Sequence, residues 1–184
     1  MPANGGFHIW LPTRGLISDE TYFLKSSPEF TITSPGDARD GMTVTAYQYR
    51  DNSLYVQASR GYNTENVVKP DFAAPGVGIL TASIGAGRIF EQATGTSLAA
   101  AQTAGIAALL FEWALIRGNV RRELFKANPV YTKTRDDVPA VYRAGNSVKN
   151  YLSRGAVRDD IIQYPNPNWG YGRVDLYHTF ELLT

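Results

Sequence analysis

The sequence predicts an α/β fold, and three features carry the prediction. Short runs such as Gly41-Met42-Thr43-Val44-Thr45-Ala46-Tyr47 join β-favouring residues to a small-residue face and are bounded by proline and glycine, the punctuation of strands. A largely apolar stretch from Leu98 to about Ile116, interrupted by Gln102, Thr103 and Glu112, is long enough only for a helix. Two shorter stretches near the end place apolar residues at helical spacing.

Taken in order, Phe7 to Leu11 alternate bulky and polar groups before Pro12, which suits a short strand. Prolines, serines and threonines from Ser26 to Pro35 argue for loop and extended backbone. The strand ending at Tyr47 follows, and Leu54-Tyr55-Val56 is a second candidate, broken by Ser59-Arg60-Gly61. Phe72 to Leu80 contains Pro75, Gly76 and Gly78 and therefore reads as an irregular loop beside a strand. Ile89-Phe90-Glu91 is extended and leads into Thr94-Gly95-Thr96-Ser97.

The helix after Ser97 has alanine, glycine, leucine and other apolar groups on all sides, which predicts burial all round, with Arg117, Gly118 and Asn119 closing it. Residues 119 to 143 hold most of the charge and read as an exposed, solvated insertion. Val148, Tyr151 and Leu152 mark a short amphipathic helix from Asn146 to Arg154, capped by Asn146 or Ser147 and closed by Gly155. Residues 164 to 172 form a loop, and a last helix begins near Val174-Asp175. Trp169, Tyr171 and Tyr177 are expected to pack that loop onto the core.

Length and composition narrow the functions. With 184 residues, 43% of them hydrophobic, the chain buries a core without cross-links. Eighteen basic against 17 acidic residues leave a net charge of +1, so there is no broad field to recruit nucleic acid or an anionic membrane. The absence of cysteine removes disulfides, thiolate catalysis and cysteine-zinc sites. No run reaches the length of a membrane-spanning helix, and the first residues have no signal-peptide pattern.

Chemistry concentrates at Gly95-Thr96-Ser97. A serine at the start of a helix has its amide among the donors that lack intrahelical acceptors, at the positive end of the dipole. Such an amide suits the oxyanion that forms when the hydroxyl attacks a carbonyl. Serine is equally a good helix N-cap, and the tripeptide alone favours that plainer reading.

The surroundings change the balance. Gly95-Thr96-Ser97-Leu98-Ala99-Ala100-Ala101-Gln102-Thr103-Ala104-Gly105 resembles the nucleophile motif of the subtilisin-like serine peptidases, the subtilases. Lys69-Pro70-Asp71-Phe72-Ala73-Ala74-Pro75-Gly76, Ser59-Arg60-Gly61, Ser34-Pro35-Gly36-Asp37-Ala38-Arg39 with Met42-Thr43-Val44, and Trp169-Gly170-Tyr171-Gly172-Arg173-Val174-Asp175 resemble further family segments, in order and at matching spacing. Gln102 and Ala101 depart from the usual histidine and proline of the motif, neither of which is the catalytic base. Within the family the likeness is closest to the clostridial spore-associated proteases, through Ser97 to Ala101 and the run from Val148 to Asp159.

The resemblance implies the C-terminal part of a three-layer fold with a largely parallel sheet, in which Ser97 is the nucleophile. Residues 1–25 are then a segment leaving an upstream insert of jelly-roll type, and 26–184 are the end of the peptidase domain. Ser34, Pro35, Gly36, Gly95 and Thr96 would contact a polypeptide substrate. No cofactor or metal ligand set is implied, with calcium left open. The resemblance also implies a secreted or spore-envelope location.

The catalytic histidine, the aspartate and the oxyanion asparagine of the family all precede the serine, and no segment here matches them. His8 and His178 lie outside any such motif and read as structural or surface residues, and Asp71 reads as a structural salt bridge or turn residue. In subtilisin itself, loss of the base costs about six orders of magnitude in turnover. The chain alone is therefore expected to be inactive, with the rest of the domain as partner. The alternatives are a non-catalytic regulatory relative of the same fold, or a lone chain that dimerises to cover an exposed sheet edge.

Overall fold

The computed structural model describes residues 7–12, 15–85, 87, 89–116 and 140–183, without the side chains of 114–116 and 140–147. Four strands, β1 (Val44–Tyr47), β2 (Phe72–Pro75), β3 (Ile79–Ala82) and β4 (Phe90–Ala93), precede three helices, α1 (Thr96–Ile116), α2 (Ala140–Gly155) and α3 (Leu176–Glu181).

Strands β1 and β2 run parallel, pairing Val44 with Phe72 through Tyr47 with Pro75. Their side chains are small or apolar and largely buried, as a parallel pair covered on both faces requires. Helix α1 packs across both strands and also meets α2, which packs on α3. The core gathers Phe72, Ala107, Leu110, Val148 and Leu152, with Ala46, Ala74 and Ala99 filling the closest approach of helix to sheet. Alanine at all three places lets the two backbones lie near each other.

The C-terminal segment completes the sheet. Tyr171 N–H donates to Asp71 (2.8 Å), Ala73 N–H to Gly172 (2.9 Å) and Val174 N–H to Ala73 (2.9 Å), so residues 171–174 run parallel beside β2. Gly170, at φ +57°, permits this docking, since a Cβ there would meet the Pro70 and Asp71 carbonyl oxygens at 2.3 Å. Trp169 lies buried against Tyr47, with ring centroids 5.8 Å apart. Arg173 forks onto Asp159 at 2.9 and 3.2 Å. Asp175 caps α3 by accepting from the His178 amide.

Several expectations need correction. Residues 7–11 join no β-ladder, and Leu54 makes only an isolated bridge to Tyr47 instead of starting a strand. Phe72 to Leu80 holds two strand ends around a turn instead of one irregular loop. Helix α2 begins at Ala140, six residues before the expected caps, though it ends at Gly155 as read. Tyr177 is exposed, because α3 turns it outward and leaves Trp169 and Tyr171 to pack the loop. The predicted helix stop at Arg117 to Asn119 and most of the charged stretch 119–143 lie outside the described residues.

Helix α1 departs most. Ala99, Thr103, Ala107 and Leu110 are buried along one stripe, whereas Ala101, Ala104, Gly105, Ala108 and Leu109 are exposed. Uniform apolarity makes every face of a helix fit for burial, but neighbouring elements decide which face is covered. Among the described residues the covered side is the one toward β1, β2 and α2.

Candidate active site

Ser97 is placed by the way the end of β2 is tied to the start of α1. Gly76 N–H donates to Tyr47 (3.0 Å) and Gly95 N–H donates to Gly76 (2.8 Å). A Cβ on Gly76 would stand 2.6 Å from the Ala46 Cβ and 2.8 Å from the Gly95 carbonyl oxygen, so only glycine allows the crossing. One turn into the helix, the Gln102 side-chain amide donates to the Pro75 carbonyl at 3.0 Å. One of the two residues that depart from the resembled motif therefore moors the start of α1 to the strand beneath it. Between the two elements the hairpin β3–β4 loops outward, held at its base by Gly78 N–H donating to the Thr94 hydroxyl (2.9 Å).

The Ser97 side chain is thereby exposed, at the second position of α1. It opens onto a cleft of about 420 Å³. Ser34, Pro35 and Gly36 line that cleft together with Thr96 and Ser97, bringing five of the six residues singled out in the sequence to one place. Gly95 is not on the lining; it holds the approach to α1 through its bond to Gly76. Sequence reasoning missed the wall contributed by residues 42–45, by Gln57 and by Pro70. The strand pattern at Met42 to Tyr47 was the only available signal, and it does not say which edge of a sheet faces a ligand.

None of the residues lining the cleft has an ionisable side chain. His8 stacks near Trp10 and Phe30, at ring distances of 5.7 and 4.5 Å, and His178 lies exposed on α3; neither lines the cleft. Among the described residues the site thus offers an exposed serine hydroxyl, helix-start amides and a shaped wall, without a base. No cluster of three metal-ligating side chains occurs among the described residues. No helix among them is long and apolar enough to cross a membrane.

Charge lies one layer deeper. Lys69 and Asp71, both with fully buried side chains, pair at 3.0 Å, and Lys149 of α2 reaches 2.5 Å from the other Asp71 oxygen, an ion contact outside hydrogen-bond geometry. Asp71 is therefore a structural ion-pair residue. Burial pulls the Lys69 ammonium below the usual lysine range, with Asp71 opposing and Lys149 adding to the shift.

The sequence model of the subtilase family matches residues 24–147. Among solved structures, the CspB protease of Clostridium perfringens is 37% identical with a TM-score of 0.71, over 89% of this chain and 31% of that one. The prenylagaramide maturation protease PagA is 20% identical (TM-score 0.60), covering 85% of this chain and 47% of that one. The PatG macrocyclase, solved in complex with peptide, is 22% identical (TM-score 0.56), covering 82% and 38% respectively. The last two show likeness of fold alone. No curated protein matches the chain. The chain spans about a third of the length of the CspB protease chain.

Proposed function

The chain belongs to the subtilase family and has its α/β fold, and on that premise we propose that it supplies the nucleophile-bearing part of a serine endopeptidase. The observation that carries the reading is the exposed Ser97 hydroxyl at the start of α1, facing the wall of Ser34, Pro35 and Gly36 across one cleft. In this reading Ser97 Oγ attacks a peptide carbonyl and forms an acyl-enzyme, while the Ser97 amide shares the oxyanion. A histidine, an aspartate and an asparagine from other parts of the peptidase domain take the proton, orient the base and complete the oxyanion hole. Thr96 lines the cleft beside the nucleophile, and Gly95 sets the entry of the chain into α1 behind it. In this reading the chain without those helpers turns over no substrate. The secreted or spore-associated setting of the whole protein rests in this reading on the resemblance of Ser97 to Ala101 and of Val148 to Asp159 to clostridial spore-associated proteases.

The test is to treat the complete protein that carries this chain with a small serine-directed phosphonate and map the adduct by mass spectrometry. The expected result is one adduct on Ser97, lost in Ser97→Ala. A folded protein that gains no adduct at Ser97 supports instead the regulatory, non-catalytic reading of the same fold.

A further inference from the structure

The buried ions beneath the cleft touch its lining at several points. Thr43 is the junction. Its amide donates to Asp71 Oδ2 (2.8 Å), its carbonyl accepts from the Asp71 amide (2.7 Å), and its hydroxyl donates to the Gly36 carbonyl (2.5 Å). The Lys69 ammonium donates to Asp71 Oδ2 at 3.0 Å, to the Gly41 carbonyl at 2.5 Å and, more weakly, to the Thr43 hydroxyl at 3.4 Å. The ammonium thus fixes the Gly41–Thr43 end of the turn 36–43, and the Thr43 hydroxyl carries that hold to Gly36 at the cleft. Thr43 and Pro70 themselves line the cleft.

Stability alone is a poor reason for this arrangement. Lys69 and Asp71 are wholly buried and Lys149 largely so, and taking such charged groups out of water is costly even when they are paired. Apolar side chains of similar size are often as stabilising or more so. What the ions provide that apolar groups lack is direction: an ammonium with several fixed acceptors holds a carbonyl and a hydroxyl at set positions.

We propose that Lys69, acting through Asp71 and Thr43, is a positioning residue that holds the Ser34–Gly36 wall at its working distance from Ser97, and so sets how the cleft binds a substrate side chain. This rests on the peptidase reading for its consequence, though not for the structural link itself. Lys149 contacts the opposite carboxylate oxygen and lies outside the tether.

The experiment compares Lys69→Met, Thr43→Val and Lys149→Met in the complete protein. Thr43→Val removes only the hydroxyl that holds Gly36 and keeps the volume, so it reports on the tether if Lys69→Met fails to fold. Amide hydrogen exchange at Gly36, Ala38 and Thr43 is expected to quicken about tenfold or more in Lys69→Met and Thr43→Val, with Leu110 and Leu152 unchanged. Lys149→Met leaves those amides as in the parent. Peptide hydrolysis is expected to show KM raised about tenfold with kcat within about twofold in the first two variants, and an unchanged rate of phosphonate labelling at Ser97. Unaltered exchange at Gly36 and Thr43 in Thr43→Val overturns the inference, as does a loss of kcat and labelling in step with KM. Failure of the parent to label at Ser97 instead refutes the peptidase reading, and the exchange result still decides the tether.

Discussion

Strands β1 and β2 join four residues to four, and so do β3 and β4, yet the two pairs live in opposite surroundings. In the parallel pair Ala46, Phe72, Ala73 and Ala74 are wholly buried between α1 and the segment 171–174. In the antiparallel pair Leu80 is 66% exposed and Phe90 60% exposed. The two ladders are equally long, so stability differs chiefly through what covers the side chains, because a backbone hydrogen bond nets only about 1 kcal/mol whereas a buried large side chain contributes about 1.5–3 kcal/mol. Around Ser97 this makes one rigid support and one free-standing flank.

The sharpest way to break the comparison is to hollow the parallel pair. Phe72→Ala is expected to cost about 3–5 kcal/mol in urea unfolding, since its site is closed on all sides. Gly76→Ala comes next at about 1–3 kcal/mol, because the added methyl meets Ala46 and the Gly95 carbonyl where β2 hands over to α1. It is also the variant expected to displace Ser97. In the hairpin, Phe90→Ala is expected to change stability by no more than about 0.5 kcal/mol; a loss as large as that for Phe72 refutes the contrast.

The smallest effect appears only in alkali. Burial raises the Tyr47 phenol above its ordinary 10.0, with Arg173 partly opposing. The folded chain then keeps a proton that the unfolded chain releases, so stability present below pH 10 declines as pH rises from there through the folded value. Tyr47→Phe removes that titration, and thermal melts between about pH 9 and about pH 11 are expected to decline less steeply than in the parent.

The same contrast explains which parts were legible from residues alone. β1 lies inside the run from Gly41 to Tyr47 because small and branched residues suit a strand buried on both faces, and α1 runs to Ile116 because nothing in its sequence interrupts a helix. Its exposed side was hidden, since an all-apolar pattern does not name its neighbours. Lys69 was hidden for the converse reason: a lysine ordinarily marks surface, and it is accommodated inside by Asp71 together with the Thr43 and Gly41 acceptors, 26 and 28 residues away. The nearness of Ser34–Gly36 to Ser97 came through family likeness; no local pattern links segments about sixty residues apart.

The docking of residues 171–174 along β2 has a consequence for how the molecule is made. The flank of β2 is closed by partners about a hundred positions downstream, and Tyr171 seals the Asp71 backbone. On a ribosome, α1 emerges with Ser97 long before that closure, over an open strand border. The support beneath Ser97 therefore takes its final form only once residues 171–174 have been made and have docked, more than seventy positions after the serine itself.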